Sequence, residues 1–171
     1  MLSNVGNTLL FGSIFLTISI VLVAFQNLKE KNYLIKKNLI YLSFFQITFI
    51  IASFLLLIFA FIFSDFSLLA VYQNSHTDKP IFYKIAGVWG NHEGSLLLWV
   101  NIMVIFSFFF FVFNYKSNKS YSLYTLLVQN ILILGFLIFL ISNSNPFFKI
   151  LPVPSEGLGL NPILQDPALA I

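Results

Sequence analysis

The chain contains no cysteine and no arginine, and only 9% of its 171 residues are charged. The absence of cysteine excludes disulfide bonds and thiolate metal sites. The scarcity of charge excludes an ordinary soluble domain, in which about a quarter of the residues are charged. Because 58% of the residues are hydrophobic, the chain carries more apolar surface than a soluble fold can bury. The sequence therefore predicts a membrane protein.

Ionisable residues are also missing from four long apolar segments, each long enough to form a transmembrane helix of about 20 residues. These segments are Val5–Phe25, Leu39–Phe63, Ser95–Phe113 and Leu123–Ile141. The fold class is predicted to be an all-α membrane protein with four transmembrane helices. Proton and ion pathways usually contain carboxylates or lysines inside the membrane, so these segments argue against a pump subunit.

The distribution of lysine predicts the orientation of the chain. The connections after the first and third segments are the most basic, and short basic loops stay on the cytoplasmic side. Their lysines are Lys29, Lys31, Lys36, Lys37, Lys116 and Lys119. Both termini and a long loop, residues 64–94, are therefore expected on the outer side, in the periplasm or the intermembrane space. The net charge of +3 then requires no nucleic-acid partner.

The chain is accordingly divided into a four-helix transmembrane segment, residues 1–142, and an outward proline-rich tail, residues 143–171. Five prolines in the tail oppose a long helix and predict an extended segment with short turns. Asn161–Pro162 and Asp166–Pro167 are typical of an N-cap followed by a first helical residue. The tail is expected to lead into a further helix that is missing from this sequence.

Both histidines and both tryptophans lie in one stretch, NSHTDKPIFYKIAGVWGNHEGSLLLW, residues 74–99. Within it, the apolar residues 80–88 are predicted to rest on the membrane surface, with Tyr83 and Trp89 at headgroup depth. Any chemistry or docking is expected in this loop. HEGS lacks the second histidine of a zinc-protease motif, so a hydrolase is unsupported.

Asn91 is predicted to cap the third long helix, with His92 and Glu93 in its first turn, where a carboxylate is favoured by the helix dipole. Gly94 would allow close approach of a neighbouring helix or a ligand. Two interpretations stay open for His92 and Glu93. They either form a helix cap beside interfacial aromatic anchors, or present an imidazole and a carboxylate to a ligand or a partner.

The chain resembles the N-terminal part of the CcmF family, the membrane haem lyases of cytochrome c maturation. The motifs that carry the resemblance are NSH, a proline with a Tyr-Lys pair, and WGNHEGS followed by LLLW. NPF, LNP and LQDP followed by LAI resemble the same family. The resemblance covers essentially the whole chain but only the first four spans of a larger protein. In the family, the histidines proposed as axial haem ligands and a tryptophan-rich signature lie beyond the equivalent of Ile171.

The resemblance implies that this chain is the N-terminal portion of a haem lyase. Such a protein receives haem from the chaperone CcmE and attaches it to apocytochrome c CxxCH motifs on the outer face of the membrane. Its implied partners are the remainder of a CcmF-like protein, CcmE, a CcmH-type subunit, apocytochrome c and the lipid bilayer. The segment is not expected to be active alone. A bacterial inner membrane is expected, with the mitochondrial inner membrane as the alternative.

With the resemblance, eight residues become candidate site residues, although none is assigned as catalytic or metal-binding. A haem-facing or partner-facing surface is predicted from Trp89, His92, Glu93 and Trp99. Partner-binding residues are predicted at His76, Tyr83, Asn91 and Gly94. Two alternatives remain: a non-enzymatic scaffold subunit that docks partners through residues 74–99 and, less favoured, a transporter or respiratory-complex subunit.

Overall fold

The computed structural model of the chain describes residues 1–30 and 36–159. The predicted caps at Asn161–Pro162 and Asp166–Pro167, and the predicted further helix, lie outside the described residues. The described residues form six α-helices. These are α1 (Leu2–Glu30), α2 (Lys36–Ile62), α3 (Leu69–Asn74), α4 (Ile81–Trp89), α5 (His92–Asn114) and α6 (Lys119–Asn143).

Four of these helices, α1, α2, α5 and α6, are long and apolar enough to cross a membrane. They contain 23 to 29 residues each. The prediction of an all-α fold with four such helices is confirmed. The helices extend beyond most of the predicted apolar boundaries, because polar residues at their ends continue the backbone hydrogen bonding. The apolar stretch expected at residues 80–88 corresponds to α4, and α3 is an additional short helix.

The chain packs as two compact units. The first combines Met1–Thr8, Ser53–Leu98 and the described residues from Leu140 to 159, and it contains α3 and α4. The second combines Leu9–Ala52 with Trp99–Phe139. The predicted outward loop and the described part of the tail therefore belong to the same unit.

The second unit contains a buried polar network with one residue from each long helix. The Gln46 amide nitrogen donates to Thr17 Oγ1 at 2.7 Å and to Asn130 Oδ1 at 2.9 Å. Asn130 Nδ2 lies 3.4 Å from Ser107 Oγ, and all four residues are buried. Apolar side chains pack in two clusters of the same unit, one around Phe111 and one around Ile50. The network fixes which faces of the helices meet.

In the first unit, the tail is docked along the loop. Leu69 N donates to Phe148 O at 2.9 Å, and Ile150 N donates to Ser67 O at 3.0 Å. Ser3 Oγ at the start of α1 donates to Phe147 O at 2.7 Å. Residues 144–159 contain no long helix, as the prolines predicted. Their docking against the loop was not predicted.

The end of α2 is tied to α4 by a buried lysine. Asp65 N donates to Ala60 O and Ser64 N donates to Phe61 O, while Ser64 has a positive φ of 54°. This arrangement is the Schellman motif that satisfies carbonyls at a helix C-terminus. Lys84 of α4, only 9% exposed, donates from Nζ to Ser64 Oγ at 2.7 Å. Its charge complements the negative end of the α2 dipole, which positions α4.

Candidate functional site at the start of α5

Asn91 caps the two helices that meet at the corner between α4 and α5. Its Oδ1 accepts a hydrogen bond from Gly94 N at 2.7 Å, which is the predicted N-cap interaction of α5. Its Nδ2 donates to Gly87 O at 2.7 Å and to Val88 O at 3.0 Å, at the end of α4. Asn91 is 8% exposed. One buried amide therefore fixes the angle between the helices, and the proposed partner-binding role of Asn91 stays a prediction.

Gly94 is required by the same corner. A Cβ atom added to Gly94 would collide with the backbone carbonyl of Val88. The close approach expected at this glycine is therefore realised, and the approaching group is the end of α4. Because backbone cannot move aside as a flexible side chain can, any larger residue would open the corner.

His92 is exposed at the first position of α5, and its imidazole contacts the residue that follows α6. His92 Nδ1 lies 2.9 Å from the hydroxyl of Ser144. Ser144 is 3% exposed, and its backbone N–H donates to Leu140 O at the end of α6. The hydroxyl is thus fixed by buried backbone. No sequence signal pointed to Ser144, which lies 52 residues from His92.

Glu93 lies beside an open pocket of about 320 Å³. The pocket is lined by Leu69, Glu93, Ile141, Ser142, Asn143, Ser144, Asn145 and Phe148. Most of these residues come from the last turn of α6 and the chain that follows it. The pocket brings the predicted Glu93 together with residues that sequence reasoning did not select.

His76 has a different set of partners, in the turn between α3 and α4. Its Nδ1 accepts a hydrogen bond from Asp78 N at 3.2 Å and lies 3.9 Å from Glu156 Oε1. Glu156 also accepts hydrogen bonds from the hydroxyl of Thr77 at 2.7 and 2.8 Å and from Thr77 N at 2.9 Å. These bonds, together with one from Gly157 N and the nearby His76, lower the pKa of Glu156 from 4.5 to about 2. Thr77 thus anchors the tail, and His76 lies beside it.

The predicted aromatic residues are distributed over both units. Trp89, 37% exposed, ends α4, and Tyr83 lies on the same helix with its ring edge-to-face against Phe82. Trp99 belongs to the second unit and is 65% exposed. Three of the four predicted surface residues, Trp89, His92 and Glu93, therefore lie in the first unit. Among residues 1–30 and 36–159, no group of three or more histidine, aspartate or glutamate side chains is arranged to hold a metal ion.

Comparison with known proteins decides the family of the chain. Residues 89–171, beginning at the corner, match the family model described as cytochrome C assembly protein. The chain is 46% identical over 125 residues to the cytochrome c-type biogenesis protein Ccl1 of Rhodobacter capsulatus, which covers 73% of this chain and 19% of that protein. It belongs to the cytochrome c assembly family.

Other members of the cytochrome c assembly family give the same result. The chain is 42% identical over 118 residues to CcmF of Escherichia coli, covering 68% of this chain and 18% of CcmF. A solved structure of the cytochrome c haem lyase CcmF superposes with a TM-score of 0.77 at 20% identity, over 86% of this chain and 25% of that one. This likeness shows a shared fold. The chain spans about a fifth of the length of the curated relatives that it matches.

Proposed function

We propose that this chain supplies the N-terminal membrane segment of a cytochrome c haem lyase. The observation that carries the proposal is the 46% identity with Ccl1 and the 42% identity with CcmF over more than two thirds of the chain. The reaction joins the vinyl groups of haem, as substrate, to the cysteines of an apocytochrome CxxCH motif. Because the chain covers about a fifth of these relatives, it acts together with the remainder of a CcmF-like protein and is inactive alone.

The proposed membrane is a bacterial inner membrane, with the loop at residues 64–94 and the tail on the outer side. The distribution of lysine supports this orientation, because Lys116 and Lys119 flank the turn between α5 and α6. The absence of cysteine permits a direct test with single cysteines at the exposed positions Asp78 and Ser117. A membrane-impermeant maleimide should label Asp78→Cys in intact cells and Ser117→Cys only after lysis. The reverse pattern would overturn the orientation.

The proposed haem-facing or partner-facing surface of this segment centres on Trp89, His92 and Glu93. The exposure of Trp89 and His92, and the position of all three residues at one helix corner, support it. Trp99, in the second unit, is proposed separately as a haem-facing or partner-facing residue, and His76 and Tyr83 remain proposed partner contacts. The proposed partners are the haem chaperone CcmE, a CcmH-type subunit and apocytochrome c.

A chimera tests the function. The matching N-terminal segment of Escherichia coli CcmF is replaced by this chain in a strain that lacks its own CcmF, and covalent haem in cytochrome c is measured by haem staining. We expect holocytochrome c well above the level of the empty strain. A chimera that accumulates normally in the membrane and forms no holocytochrome c would contradict the proposal.

The same chimera tests the surface. The pair His92→Ala and Glu93→Ala should lower holocytochrome c at least several-fold at equal membrane abundance. Ser117→Ala is the control, since Ser117 is exposed in the turn between α5 and α6 and not at the corner. An unchanged amount of holocytochrome c in the double variant would show that His92 and Glu93 only cap the helix.

A further inference from the structure

The pocket beside Glu93 is electronegative from two sides. One side is the Glu93 carboxylate in the first turn of α5. The other is the last turn of α6, Ile141 to Asn143, at the helix end where the dipole is equivalent to roughly half an elementary negative charge. The two features come from different helices and meet at one cavity, so the pocket attracts a cation.

No basic side chain of the described residues pairs with this charge. The last turn of α6 contains no basic residue. Within residues 1–30 and 36–159, the contacts shorter than 4 Å between a basic side chain and a carboxylate are those of His76, and no lysine pairs with Glu93. Glu93 is partly buried, and a carboxylate that is partly removed from water gains more from a cationic partner than an exposed one does.

The remaining lining fits an extended cationic side chain. Phe148 is 56% exposed and lines the pocket, and an aromatic ring can attract a guanidinium or an ammonium group. Leu69 and Ile141 supply apolar surface for the methylene stem, and the exposed Asn143 carries a further hydrogen-bond acceptor at the rim. Among the described residues no three-ligand cluster exists for a metal ion, which leaves an organic cation as the matching ligand.

We propose that this pocket binds a lysine or arginine side chain of a partner polypeptide, with Glu93 as its counter-ion. Charge complementarity carries the proposal. It does not depend on the haem-lyase function, because the binding is a property of the folded first unit. Binding should weaken as salt is raised, since the pocket is open to solvent.

The purified full chain in lipid nanodiscs is titrated with N-acetyl-arginine amide, and binding is followed by saturation-transfer NMR of the arginine side-chain protons. N-acetyl-citrulline amide is the matched neutral probe. We expect transfer to the arginine probe to exceed transfer to the citrulline probe at least fivefold. Glu93→Gln should abolish this difference, whereas Glu156→Gln should preserve it because Glu156 is paired with Thr77. Equal signals from both probes, or no effect of Glu93→Gln, would overturn the proposal.

A photo-crosslinker identifies the source of the cation. p-Benzoylphenylalanine at the exposed position Asn143 is activated in cells that express the chimera, and the adduct is mapped by mass spectrometry. An adduct within a few residues of a lysine or arginine on a different polypeptide supports the proposal. An adduct within the chimera itself, or at a segment without basic residues, would overturn the assignment to a partner.

Discussion

His92 Nδ1 lies 2.9 Å from Ser144 Oγ, so the first turn of α5 is linked to the residue that follows α6. His92 is exposed and Ser144 is buried. A hydroxyl fixed in buried backbone therefore sets the orientation of an imidazole at the surface. The hydrogen bond at one ring nitrogen also determines the tautomer of a neutral histidine.

Removal of this hydroxyl should change the tautomer of His92. We expect Ser144→Ala to shift the two ring ¹⁵N resonances of His92, because the hydroxyl 2.9 Å from Nδ1 is lost. Ser144→Thr keeps a hydroxyl and should retain most of the original pattern. The chain has two histidines, so a His76→Ala background assigns the signals. Ring ¹⁵N shifts that are identical in Ser144→Ala and the parent chain would contradict the role of Ser144.

The corner at Asn91 gives a second prediction. Asn91→Ala removes the N-cap of α5 and the donor to the end of α4, and should lower the free energy of unfolding by about 1–2 kcal/mol. Asn91→Ser retains a capping oxygen and loses only the amide N–H donor to the end of α4, so its loss of stability should be smaller. Unfolding in mixed micelles with increasing SDS measures both. An alanine variant as stable as the parent would show that the caps are replaced by water.

Much of this corner could be predicted from the sequence, because capping is local. An asparagine three residues before a glycine, followed by an apolar segment, specifies the helix start. The four long helices could also be predicted, since a membrane span depends on about 20 consecutive apolar residues. In contrast, Ser144 and Glu156 meet residues 52 and 79 positions away. Such contacts depend on how the tail packs. Ser144 is one of many serines, and nothing in the sequence around it indicates this packing.

The polar network of the second unit gives a third prediction. Gln46→Leu should destabilise the fold by about 0.6–2 kcal/mol, because it removes two hydrogen bonds and leaves Asn130 Oδ1 without its donor. Gln129→Leu is the matched control. It makes the same chemical change on α6, where the Gln129 Oε1 atom has no hydrogen-bond partner among the described residues. Unfolding in mixed micelles should therefore show a smaller loss for Gln129→Leu, and equal losses would contradict a specific role of the network.

The docking of the tail should depend on pH through Glu156. The folded chain lowers the pKa of this carboxyl from 4.5 to about 2, mainly through the Thr77 hydroxyl and the Thr77 backbone N–H. A lowered pKa means that the ionised form is preferred in the folded state. The contribution of Glu156 to docking is therefore complete above pH 4.5, and it is lost as the pH falls through 4.5 toward 2.

The carboxyl ¹³C resonance of Glu156, followed by NMR from pH 7 to 2 in micelles, measures the pKa of Glu156 directly. We expect its titration midpoint near 2 in the parent chain. In Thr77→Val the midpoint should rise part of the way toward 4.5, because the hydroxyl is lost while the backbone donors of Thr77 and Gly157 remain. Thr77→Ser is the matched control, since it keeps the hydroxyl and should leave the Glu156 midpoint near 2. A Glu156 midpoint near 4.5 in the parent chain would show that the tail is not held by Thr77 in solution.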